Sequence, residues 1–99
     1  MIVVRNVFYL KFGKSREAMA LWPEGLGMLR EAGAKKLRLL TDSVGRFYTC
    51  IHESEYENYA EFEAVLRKAG QTVGWREWHE KLNPLIEQGH REVYRIMDM

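Results

Sequence analysis

The chain has 99 residues, enough for one compact domain and too few for a second core, so residues 1–99 are read as a single domain. Its 15 Lys plus Arg against 14 Asp plus Glu leave a net charge of +1, which creates no field to gather phosphates and argues against nucleic acid or an anionic membrane as partner. The single cysteine, Cys50, cannot form an intrachain disulfide. The chain opens in a strand-like run with no charged leader, and no apolar stretch nears the ~20 residues that span a bilayer, so a soluble cytoplasmic protein is expected.

From Ile2 to Phe12, the residues Ile2, Val4, Phe8, Leu10 and Phe12 share one parity while Arg5, Tyr9 and Lys11 share the other, which predicts a strand ended by Gly13. Ser15 is placed to cap a helix in which Met19, Trp22, Leu26 and Leu29 recur at spacings of three and four. Pro23 inside that run removes a backbone hydrogen bond and predicts a kink near Trp22; Gly33 closes the helix. Lys36 to Thr41 reads as a short strand. Asp42, Ser43 and Gly45 make a turn, and Arg46 to Glu53 returns as a strand with Phe47, Thr49 and Ile51 alternating against Tyr48, Cys50 and His52.

Ser54 with Glu57 has capping-box spacing before a helix carrying Tyr59, Phe62, Leu66 and Ala69, stopped by Gly70. A third helical segment is expected from Thr72, with Trp75, Trp78, Leu82 and Leu85 on one face and Gly89 as its stop; Arg91 to Met97 reads as the last strand. The fold class this order implies is α+β: a ferredoxin-like β-α-β-β-α-β chain with a four-stranded antiparallel sheet and helices on one face. The uncovered face would then expose Val3, Val7 and Tyr9 with residues of three other strands, a patch a monomer does not leave wet, so a homodimer paired through that sheet face is expected.

Several features in this order carry a resemblance: Leu10-Lys11-Phe12-Gly13 ending the first strand, Glu24-Gly25-Leu26 in the first helix, Gly33-Ala34 before the second strand, and Glu55-Tyr56 with Ala60-Glu61 at the second helix. Trp75, Trp78, Leu82, Pro84-Leu85 and the stretch from Glu87 to Arg91 continue it. Over nearly its whole length the chain resembles the dimeric α/β-barrel superfamily, in particular its NIPSNAP-like branch. Val3, Val4, Arg5 and Asn6 stand where relatives often carry Tyr-Glu-Leu-Arg, so the acid and base of that motif are missing. The resemblance implies a dimeric α/β barrel with a pocket between sheet and helices, in a superfamily that includes oxygenases, haem binders and proteins of no known activity.

Asn6 shares its strand face with Val4, Phe8 and Leu10, where an unpaired amide would cost ~1 to 3 kcal/mol, so it needs a partner: a ligand, or backbone, water or another side chain. A strand Asn, a helix Trp and a helix His resemble the pocket of the superfamily's monooxygenases, which makes Asn6 and His79 the catalytic candidates, with Trp78 between them. His79 has the chemistry to bind haem iron or move a proton; the alternative is a half-buried His bonded to Glu80 or water. Trp22, Trp75 and Trp78 serve either as core or as a ligand cage. Arg5, Tyr9, Tyr48 and His52 are expected on the barrel-facing side of the sheet, a placement that a one-residue register error would reverse.

The three His residues lack ligand spacing and Cys50 lies mid-strand, so no metal site is expected, and no run matches a phosphate loop or nucleophile elbow. The expected function is binding of a small apolar or aromatic molecule between sheet and helices. A cofactor-independent or haem-dependent monooxygenase is its catalytic form. The alternative is a non-catalytic dimeric interaction or stress-related module.

Overall fold

The computed structural model describes residues 1–99. Strand β1 (Ile2–Leu10) leads into helix α1 (Ser15–Ala32), then β2 (Lys35–Thr41), β3 (Thr49–Tyr56), α2 (Tyr59–Gly70), α3 (Trp75–Leu82), a single 3₁₀ turn (Asn83–Leu85) and β4 (Ile86–Arg95). The four strands form one antiparallel sheet in the order β2-β3-β1-β4, the expected α+β arrangement. No helix is long and apolar enough to cross a membrane.

Helices cover one sheet face because Ile2, Val4, Phe8 and Leu10 of β1 are apolar there. Val4 joins Leu29, Tyr56, Phe62 and Val65 in one core cluster, and Leu10 joins Ala18, Trp22, Cys50, Trp78 and Leu82 in another. Register fixes which residues share that face: Asn6 pairs with His52 and with Arg91, and Phe8 pairs with Cys50 and with Gly89.

Several boundaries differ from expectation, each for a local reason. Strand β1 ends at Leu10, and Lys14, not Ser15, precedes α1 without any side-chain cap. Helix α1 runs through Pro23 as one element and is closed by Gly33 in the left-handed conformation, both as expected. Strand β3 is displaced toward the C-terminus, Thr49–Tyr56 in place of Arg46 to Glu53, because Tyr48 takes a left-handed backbone conformation (φ 61°) that ends the turn. Ser54 is therefore a strand residue; Asn58 caps α2, accepting from the Glu61 N–H at 2.9 Å. Helix α3 starts at Trp75 rather than Thr72, and β4 begins at Ile86. Gly89 is thus no helix stop. It is a strand residue whose missing Cβ makes room for Phe8, since a methyl there would lie 2.9 Å from Phe8 Cδ1.

The opposite face carries Val3, Arg5, Val7 and Tyr9 of β1, but it is less apolar than expected. Arg5 Nε lies 3.3 Å from Glu53 and 3.8 Å from Glu92, and Arg38 Nε donates to Glu53 at 2.7 Å. Arg46 lies over the Tyr9 ring, 3.6 Å from its centroid. Long charged side chains laid along their stems thus cover much of the face, and Val7 is buried within the single chain. Tyr94 stays exposed at the edge.

Candidate functional site

Between the helix-covered face of the sheet and α2 and α3 lies a cavity of about 120 Å³. The sheet contributes Asn6 and Phe8 from β1, His52, Ser54 and Tyr56 from β3, and Ile86 and Arg91 from β4. Helix α2 adds Phe62 and Leu66, and α3 adds Trp75, Trp78, His79 and Leu82. The floor is polar and the remaining wall mostly aromatic.

Asn6 is the hub of the polar floor. Its Oδ1 accepts from Arg91 Nε at 2.7 Å, and its Nδ2 lies 3.4 Å from His52 Nδ1. With the amide oxygen committed to Arg91, Nδ2 is the donor, so His52 Nδ1 accepts and the imidazole carries its proton on Nε2; the tautomer is assigned from this network. Burial, reinforced by the Arg91 charge, pushes the His52 pKa down to about 4, so the ring is neutral at physiological pH. The His52 ring stacks on Phe8 and meets the edge of Trp22, with centroids 5.7 and 5.3 Å apart. Beside it, Ser54 Oγ donates to the Tyr56 hydroxyl at 2.8 Å, and burial, the leading cause, raises the Tyr56 pKa.

On the helical side the Trp78 indole N–H donates to the Leu21 carbonyl at 2.6 Å, which ties α3 to α1. Its ring lies flush against Gly25, where any Cβ would overlap it. His79 packs against Trp75 and Trp78 with centroid distances of 4.6 and 5.0 Å. Its Nδ1 is buried and has no hydrogen-bond partner, and burial lowers its pKa.

Of the residues singled out in the sequence, Asn6, His52, Trp75, Trp78 and His79 come together at this cavity. Trp22 does not line it but backs it, touching Phe8, His52 and Trp78. Its indole N–H lies beside the Cys50 thiol without meeting any acceptor in good geometry; burial pushes that thiol up to about 12, which suits a core residue. Arg5 and Tyr9 are on the opposite sheet face, as expected.

His52 and Tyr48 were expected beside them and are not. The β1–β3 register turns His52 to the helix side opposite Asn6. Tyr48 precedes the strand and packs on Phe12, lining a separate open cleft of about 620 Å³ with Met19 and Phe47. Arg91, Ser54 and Tyr56 also line the cavity, and none of them stands out in the sequence as a site residue. Arg91 shares parity with Val93 in β4, and only the β1–β4 register places it opposite Asn6.

A haem does not fit this site. The cavity holds about four waters' volume at roughly 30 Å³ each, far less than a macrocycle, and the His79 ring packs against two indoles. No three His, Cys, Asp or Glu side chains are grouped as a metal centre requires.

The family model for NIPSNAP matches residues 5–99. Among solved structures, an uncharacterized NIPSNAP domain protein from Burkholderia xenovorans superposes with a TM-score of 0.88 at 19% identity, covering 98% of this chain and 95% of that one. A NIPSNAP family protein from Agrobacterium tumefaciens gives 0.90 at 19% identity, with coverage of 98% and 93%. SnoaB, a cofactor-independent oxygenase from Streptomyces nogalater, gives 0.75 at 13% identity, with coverage of 99% and 94%. At these identities the structural likeness speaks for the fold. A search of curated proteins finds no match.

Proposed function

The chain belongs to the NIPSNAP family, and on that premise we propose that it is a homodimeric barrel protein whose cavity between sheet and helices binds a small, largely apolar molecule with a single aromatic ring. The supporting observation is the cavity's size and lining together. An apolar protein cavity of roughly 150 Å³ takes up benzene, and this one, at about 120 Å³, is walled by Phe8, Phe62, Trp75 and Trp78, with the exposed Arg91 also in its lining. Asn6 holds Arg91 and His52 in place, so it fixes the geometry of the polar floor.

In a thermal melt, one-ring compounds are expected to stabilise the protein by about 2.7 kcal/mol at a hundredfold excess over Kd. Asn6→Ala is expected to abolish most of that shift. An unchanged shift in the variant would remove Asn6 from the site.

The catalytic form of this reading is monooxygenase chemistry, supported by the shared fold with the Streptomyces oxygenase and by Asn6 and His79 flanking one cavity. The non-catalytic form is favoured by a different observation: Arg91 and His52 already satisfy Asn6 within the protein. Oxygen consumption on adding a ring compound that binds separates the two. Pairing of two chains is supported by the helix-free sheet face with Val3, Tyr9 and the exposed Tyr94. Sedimentation at micromolar concentration is expected to give twice the mass of one chain; a single-chain mass would refute the dimer.

A further inference from the structure

We infer that the ligand of this cavity is an anion, a one-ring aromatic acid whose carboxylate is taken by the guanidinium of Arg91. This rests on the ring-binding reading above and adds the charge of the ligand to it.

The polar floor is rich in hydrogen-bond donors, and its positive charge, Arg91, meets no carboxylate of the protein. Arg91 spends Nε on Asn6 and has no carboxylate within ion-pair distance, whereas Arg5, Arg38 and Arg76 each face a glutamate. Glu61, the acid whose charge is felt at Tyr56, is paired with Lys35 at 3.7 Å. Asn6 Nδ2 has a second N–H beyond the one given to His52. His52, accepting at Nδ1, has its own N–H on Nε2. Tyr56 accepts from Ser54 and keeps its own hydroxyl proton to donate.

A ligand that covers these donors withdraws them from water and is favoured when it brings acceptors of its own, since a donor buried without one costs ~1 to 3 kcal/mol. A carboxylate matches best. It accepts at both oxygens, and the terminal nitrogens of an arginine present the planar fork that binds it in bidentate fashion. Position agrees with this chemistry. Arg91 is exposed at the rim, its guanidinium 5.1 Å from the Phe62 ring, while the aromatic wall lies deeper. A benzoate-like molecule would put its ring among Phe8, Trp75 and Trp78 and leave its charged end at the half-solvated rim, where Arg91 is the one full charge because His52 is neutral.

The test titrates the 99-residue protein with benzoate, benzyl alcohol and acetate, following binding by calorimetry, in wild type, Arg91→Gln and Arg91→Lys. Circular dichroism checks that each variant is folded. Benzoate is expected to bind at least about tenfold more tightly than benzyl alcohol to wild type, and acetate not to saturate. Arg91→Gln is expected to bring benzoate down to the level of benzyl alcohol in the same variant, and Arg91→Lys to restore part of the preference.

Equal binding of benzoate and benzyl alcohol to wild type would overturn the anion inference and leave ring binding standing. Absence of saturable binding by either ring would overturn both. A benzoate preference that survives in Arg91→Gln, or acetate binding as tight as benzoate, would overturn the assignment to Arg91 or to a ring-bearing acid.

Discussion

Lowering the pH from 7.5 to 4 is expected to cost the folded protein about 3 kcal/mol through His52 alone. The folded imidazole, buried beside Arg91, resists protonation down to about pH 4, whereas the unfolded one takes its proton near the ordinary value of 6.5. Between those values the unfolded state binds more protons, so acid favours unfolding. Stability from this group is complete above about pH 6.5, declines as pH falls, and is fully lost below about pH 4.

Groups facing His52 are Asn6, Phe8, Trp22 and Arg91, and none of the first three ionises. His79, also lowered by burial, acts in the same direction and persists in a His52 variant. Urea unfolding at pH 7.5 and 4.5 measures the effect. His52→Asn, which keeps an acceptor for Asn6 but cannot titrate, is expected to be less stable than wild type at pH 7.5 and to lose most of the pH dependence. An equal loss on acidification in both proteins would mean that His52 titrates normally.

Truncating Trp78 is expected to destabilise the protein by about 3 to 5 kcal/mol, the range for removing a buried indole. Trp78 is 4% exposed, bridges α3 to the Leu21 carbonyl of α1, and forms a wall of the cavity, so Trp78→Ala is also expected to abolish ring binding. Because that variant risks failing to fold, the contact can be tested from its other side. Gly25→Ala places a methyl in the space of the Trp78 ring, where a cost of about 1 to 3 kcal/mol from overpacking exceeds the ~1 kcal/mol gained in helix propensity. Gly27→Ala, two residues on in the same helix, meets nothing within 4 Å and is expected to stabilise by about 0.5 to 1 kcal/mol. Melting temperatures should therefore move in opposite directions. A rise in both would show that Trp78 does not rest on Gly25.

Element types and their order were legible because periodicity is strong in this chain. Trp22, Leu26 and Leu29 mark α1, and the alternation from Ile2 to Leu10 marks β1, as found. Boundaries failed where one local signal had two physical readings. Leu85 continues the helical spacing of Trp75, Trp78 and Leu82, yet Pro84 sits in a 3₁₀ turn and the chain is already extended at Ile86. Ser54 with Glu57 and Asn58 with Glu61 have the same spacing, and only the pairing of β3 as far as Tyr56 decides between them.

The site was legible in part for the same reason. Parity along β3 groups His52 with Cys50, but which side of the sheet that group faces depends on register with β1, a non-local fact. Asn6 and His79 were recognisable as polar groups on apolar faces. Arg91 was not, because a charge at the start of the last expected strand carries no signal until Asn6 is seen opposite it. The charged cover on the other sheet face escaped for a related reason: Arg5, Arg38 and Glu53 lie on three strands, and their pairing is visible only once those strands are neighbours.

The decisive observation on the cavity is an NMR titration of the protein with benzyl alcohol, a ring that carries no charge for Arg91 to pair. Saturable shifts centred on the side chains of Phe8, His52, Trp75 and Trp78 are expected. Shifts centred instead on Phe12, Phe47 and Tyr48 at the open cleft, or none that saturate, would show that the space between sheet and helices is only a packing gap.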